Sequence, residues 1–174
     1  MNMNALSVAN YFIMLAKKED TPITQLGLMK RVYIAHGFSL AIHRKSLLDK
    51  RFDKVEAWKY GPVIPSVYHS FKQYKAAPIT EQTVVMEWDD VKNEPVFVTP
   101  LLEDSDAVSI VEMVWKRYHE YSDSELVALT HRPGTPWSVC YRPEENREIP
   151  DGVTAEYYEQ VVEIARKLHG REDS

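Results

Sequence analysis

Cysteine is almost missing from this chain: Cys140 is the single one among 174 residues. No internal disulfide can form, and the set of thiolates that a structural zinc site draws on is not supplied. Glycine is scarce, at six, and the ten prolines are scattered, so no long flexible linker stands out. No apolar run approaches the length that crosses a bilayer, and the opening MNMNALSVANYFIMLAKKED lacks the basic start of a signal peptide. A glycine-rich phosphate loop, an HExxH pair and a GxSxG elbow are also missing. Together these absences predict a cytoplasmic protein with no metal, cofactor or membrane partner, and they lend no support to an enzyme.

What remains suffices for one core. With 44% hydrophobic residues, the chain has the size and composition of one ordinary domain spanning 1–174. The net charge of −5 hides an asymmetry: residues 1–80 carry 12 Lys+Arg against 5 Asp+Glu, a net +7, and residues 81–174 carry 9 against 21, a net −12. An acidic half suits a basic partner, although solvated faces explain the same charges. The basic patch Arg44, Lys45, Lys50 and Arg51 has no interleaved aromatic motif, so nucleic-acid binding is not expected.

Periodicity predicts a mainly α fold, a single compact helical domain with a small β-hairpin. Val8, Ala9, Phe12, Ile13, Leu15 and Ala16 mark one helix face that fades at Lys17-Lys18-Glu19-Asp20. A second helix starts at either Thr21-Pro22 or Thr24 and runs from Leu26 to Ile42 with a stripe wide enough to be touched on two sides. Gly27 and Gly37 inside it each cost about 1 kcal/mol relative to Ala, tolerable where another backbone packs close. Pro62 and Pro65 are expected to stop regular structure, with Ser66 capping a short helix through Tyr74. Residues 83–88 and 95–99 read as two strands around the polar turn 89–94. Helix returns at 105–120, and Ser122-Asp123-Ser124-Glu125 is a capping box opening a helix that ends near His131. Thr135-Pro136-Trp137 restarts one turn. The last helix carries Tyr157, Val161, Ile164 and Leu168 on one stripe and is expected to stop at Gly170.

Titratable clusters are not specified. His36 and His43 lie seven apart without a carboxylate at ligand spacing, which fits surface or core-edge histidines better than a metal pair. Adjacent acids such as Asp89-Asp90 and Glu144-Glu145 point apart, so no acid–base pair is set up. The apolar context of Cys140, nine residues from His131, predicts an inert structural thiol. Two aromatic-rich constellations stand out instead: Trp58, Tyr60, Gly61, Pro62 and Tyr68, and Thr130, His131, Pro136 and Trp137. Such side chains serve interface hot spots and core closure equally well, and the residues alone leave the two open.

The order of motifs resembles the Panacea domain family, also described as SocA-like or phage-associated GepA-like. The segments that carry it are ALSVANYFI, LMKRVYIAHGFSLAIHRKSLL, EAWKYGPVIPSVYHSFK and IVEMVWKRYHEYSDSELVALTHRPGTPW. Met29 and Arg31 stand where other members often have different residues, and the 84–99 segment is not diagnostic. The resemblance implies an antitoxin of a two-gene toxin–antitoxin operon, or a phage or prophage protein, that neutralises a cognate toxin from a neighbouring gene by direct protein contact. Its alternative implication is an adaptor that delivers a client toxin to the ClpXP protease. The partner-binding residues expected on this reading are Trp58, Tyr60, Gly61, Pro62, Tyr68, Thr130, His131 and Trp137, acting by packing and hydrogen bonding without catalysis.

Overall fold

The computed structural model describes residues 3–172, and helices dominate it. Helix α1 (Ala5–Lys18) starts from Asn4, whose side chain accepts from the Ser7 amide while Ser7 answers the Asn4 backbone, a capping box that satisfies two otherwise orphaned donors. Its apolar stripe, centred on Val8, Phe12 and Ile13, is buried as the periodicity predicts. Helix α2 (Gln25–His43) starts at Thr24 rather than Thr21: the Thr24 hydroxyl accepts from Gly27 N and donates to Asp123. Every residue from Gly27 to Ser39 is buried, because α1 and the later helices Ser105–Tyr118, Asp123–His131 and Asp151–Glu172 all pack around this one helix. Burying a leucine- or phenylalanine-sized side chain is worth about 1.5–3 kcal/mol, so the α2 axis, with Leu28, Val32, Tyr33 and Ile34, is the centre of stability.

Three more helices complete the frame. Helix α4 (Ser105–Tyr118) buries Ala107, Ile110, Val111, Val114, Trp115 and Tyr118 along one side. The capping box at Ser122 and Glu125 opens α5 (Asp123–His131) where the sequence places it. The last helix, α7 (Asp151–Glu172), departs from expectation. Its buried anchors are Thr154 and Tyr158, while Ile164 and Leu168 are exposed and the helix runs past Gly170. The Tyr158 ring lies so close over Gly37 that a Cβ there would sit 2.3 Å from it. Gly37 is therefore set by an aromatic ring, not by the close backbone that its position suggested.

Two small sheets were only half foreseen. The expected hairpin exists as β3 (Val85–Asp89) and β4 (Glu94–Val98). A second, three-stranded sheet has the order β2-β1-β5, with β1 (Glu56–Trp58), β2 (Gly61–Val63) and β5 (Arg147–Glu148). Pro62 thus lies inside a strand, opposite Ala57, and does not stop regular structure. Pro65 opens α3 (Pro65–Phe71), followed by a 3-10 turn at Lys72–Tyr74. Ser66 does not cap α3. Its hydroxyl donates instead to buried Asp53 at 2.7 Å, and Asp53 also accepts from the Ala5 and Asp49 amides. That carboxylate ties the start of α1, the 49–53 loop and α3 into one junction.

The β3–β4 hairpin has few contacts beyond its own strands but is gripped at its base. Buried Asn10 of α1 donates to the carbonyls of Thr83 and Pro100 at 3.0 and 3.1 Å, and its own side-chain oxygen accepts from Thr83 N at 2.9 Å. Gln82 reaches back to the Asn10 carbonyl at 2.9 Å.

Candidate functional site

The β1–β2 turn, Lys59-Tyr60, is the point at which the two aromatic constellations meet. Gly61 follows it at φ +112, a backbone region that only glycine enters without strain. The carbonyls around this turn are taken by side chains from three helices. Trp137 of α6 (Pro136–Cys140) donates from Nε1 to Trp58 O at 2.6 Å. His131, at the end of α5, meets Lys59 O through Nε2 at 3.3 Å, and because a carbonyl only accepts, Nε2 carries the proton. Lys30 of α2 donates from Nζ to Tyr60 O at 3.3 Å and to Pro62 O at 2.8 Å.

Rings stiffen this arrangement. His131 stacks on Trp137 with centroids 3.7 Å apart, Trp137 stacks on Tyr141 at 4.6 Å, and Trp58 meets the edge of Tyr68 at 5.1 Å. The Trp58 indole N–H donates to Glu56 at 2.7 Å. Thr130 closes the cluster beside Gly61 and satisfies its hydroxyl on Leu126 O. Of the residues expected to bind a partner, Gly61, Pro62, Thr130 and Trp137 are buried, Trp58, Tyr68 and His131 are partly so, and Tyr60 is 69% exposed. The first group holds the turn, and Trp58, Tyr60 and Tyr68 present surface.

Those three rings, with Leu26, Met29 and Lys30, line a mostly apolar hollow of about 380 Å³. Lys30 is the residue that sequence reading passed over. It is buried and pairs with carbonyls, and desolvation pulls its ammonium from an ordinary 10.5 down to about 7. A lysine between Met29 and Arg31 in an otherwise apolar helix was the available signal. Neighbouring Arg31 caps the other end of the frame, donating to Tyr118 O, His119 O and Tyr121 O at 2.9–3.3 Å, where a cation suits the carbonyl end of α4.

His36 is buried, donating to Asp151 at 3.1 Å and accepting from Leu47 N, while His43 is exposed. The Asp151 carboxyl sits below its usual range because His36 bonds it. Cys140 is half-buried, and burial raises its thiol away from the reactive thiolate. Among the described residues no group of three or more His, Cys, Asp or Glu could hold a metal ion, and no helix is long and apolar enough to cross a membrane. The basic patch is spoken for: Arg44 pairs with Glu159, Lys45 with Asp104, Lys50 with Asp151 and Arg51 with Asp49. A larger cavity of about 640 Å³ beside Lys50, Arg51 and Lys54 is lined by these same paired charges, Lys54 bonding Glu56.

Known proteins converge on one family. The sequence model described as "Antitoxin SocA-like, Panacea domain" matches residues 28–138, a span that holds most of α2, the β1–β2 turn, α4, α5 and Trp137. A curated relative, Antitoxin SocA of Caulobacter vibrioides (strain NA1000 / CB15N), is 34% identical over 138 residues, covering 79% of this chain and 70% of the relative. No solved structure matches.

Proposed function

The chain belongs to the SocA-like antitoxin family with a Panacea domain, and from that premise we propose that it neutralises a toxin encoded by a neighbouring gene through direct protein–protein contact. The whole of residues 1–174 acts as one unit in this reading. Trp58, Tyr60 and Tyr68 touch the toxin, while Gly61, Pro62, Thr130, His131 and Trp137 hold them in place.

The observation that carries the proposal is the immobilised turn beside an apolar hollow. Side chains of Lys30, His131 and Trp137 take the carbonyls of residues 58, 59, 60 and 62, so the aromatic ledge is ordered before a partner arrives. Pre-ordering lowers the entropic cost of association, and Trp and Tyr concentrate binding energy when a partner covers them. A surface of this kind supports recognition by shape.

Co-expression of the chain with the neighbouring gene product is the test. The expected result is that the product alone arrests growth, the chain restores it, and Tyr60→Ala weakens a purified complex without changing the fold. Neutralisation by blocking also leaves the toxin's half-life unchanged. A harmless neighbouring product, or one that the chain does not rescue, ends this reading.

A further inference from the structure

The hollow beside the pinned turn carries charge of one sign only. Leu26 and Met29 of α2 and the rings of Trp58, Tyr60 and Tyr68 make its wall apolar, and its volume is about 380 Å³. Ligand pockets span roughly 300–1,000 Å³, so this one has room for a single large side chain. The charged residues along the wall are Lys30 and Lys59, both cations, and no carboxylate lines it.

Neither lysine is neutralised by the chain itself. Among the described residues neither joins an ion pair, whereas Lys45, Lys50, Arg51 and Lys54 each do. Buried Lys30 spends its ammonium on the Tyr60 and Pro62 carbonyls. Lys59 is exposed, with its ammonium 5.3 Å from the centroid of the Tyr60 ring. Its backbone is held in place, because His131 meets its carbonyl. The acids nearby in sequence are committed elsewhere. Glu56 of β1 bonds Lys54 and the Trp58 indole N–H, and Glu145, next to the lining Asn146, bonds Arg147. The net charge of −5 does not override this local sign, since exposed charges more than about 10 Å apart are largely screened at 0.1 M salt.

An apolar hollow with an exposed, unpaired cation on its wall is complementary to an apolar side chain that brings a carboxylate with it. We infer that the hollow receives one large apolar side chain of the toxin, with an adjacent Asp or Glu of the toxin meeting the Lys59 ammonium. This inference rests on the antitoxin reading and adds the chemistry of the toxin segment that the ledge recognises.

The test uses the full chain, the purified neighbouring toxin and two variants: Lys59→Glu, which reverses the exposed charge, and Leu26→Trp, which fills the hollow. Circular dichroism and the melting midpoint of Lys59→Glu are expected to match the wild type, because that side chain is exposed. Lys59→Glu should weaken the complex by about tenfold and flatten its salt dependence. Leu26→Trp should weaken it by about thirtyfold, the scale of losing a hot-spot anchor. An acid-to-lysine substitution in the toxin, made in turn at each Asp or Glu beside an exposed apolar residue, should restore binding to Lys59→Glu at one position. Where Leu26→Trp fails to fold, this charge swap decides alone. Wild-type or tighter binding by Lys59→Glu, or no restoring position, overturns the inference and leaves the antitoxin reading standing. Loss of a wild-type dimer in Leu26→Trp, with toxin affinity kept, overturns it in favour of a second copy. A wild-type chain that binds no toxin removes the antitoxin reading and this occupant with it.

Discussion

A lysine ammonium buried against carbonyls must respond to pH. Between about 7 and 10.5, the folded and ordinary values for Lys30, the unfolded chain holds this proton and the folded chain has shed it. Stability therefore rises with pH across that window, with a slope of at most about 1.4 kcal/mol per pH unit from this group. Below pH 7 the full cost of burying the charge is present. Lys30→Met should remove this rise, measured by urea unfolding at a series of pH values, and a variant that keeps the wild-type slope would show that Lys30 is not its source. Trp137→Phe removes the 2.6 Å bond to Trp58 O, at a cost of about 0.5–1.5 kcal/mol. An unchanged unfolding midpoint in denaturant would contradict the pinned turn. The sequence displayed Trp137 and Trp58 as two separate aromatic clusters 79 residues apart, and nothing in their spacing said that one donates to the other.

Elements were more legible than contacts. The capping box at Ser122 and the stripe of α4 are local signals, and local hydrogen bonds and periodicity suffice to set them; the box at Asn4 is equally local but carries Ser7 in place of the Glu or Gln that marks such a box in sequence. The β1–β2–β5 sheet was hidden because each strand is two or three residues long, too short for alternation to show. The β3–β4 hairpin was visible as two β-rich runs, but its clamp was not, since Asn10 lies 73 residues from Thr83. Asn10→Ala strands the hydrogen-bonding groups of Thr83 and Pro100. Amide exchange across 85–98 should accelerate while protection in α2 persists, at a cost of about 1–3 kcal/mol for the unmet buried groups. Equal protection in variant and wild type would show that the strands hold their place without Asn10.

For the molecule as a whole, one continuous core runs from Ala5 to Tyr158 and passes through α2 at every turn. A single cooperative unfolding transition is expected, with far-ultraviolet circular dichroism and tryptophan fluorescence coinciding. Two separated transitions would mean that residues 1–174 form more than one unit. The exposed Ile164 and Leu168 show the limit of pattern reading: a helical stripe gives the face that can be buried, while the length of the facing surface decides how much of it is. Sequence alone determined the helical class, the Ser122 cap, the β3–β4 runs and the family, because these rest on short-range geometry and on motif order. The tertiary structure decided that Lys30, His131 and Trp137 take the carbonyls of one turn, that Arg44, Lys45 and Lys50 of the basic patch pair with distant acids, and that the hairpin turns its larger rings to water. Each of those facts depends on which residues remote in the chain are brought within a few ångströms, a distance that no local pattern encodes.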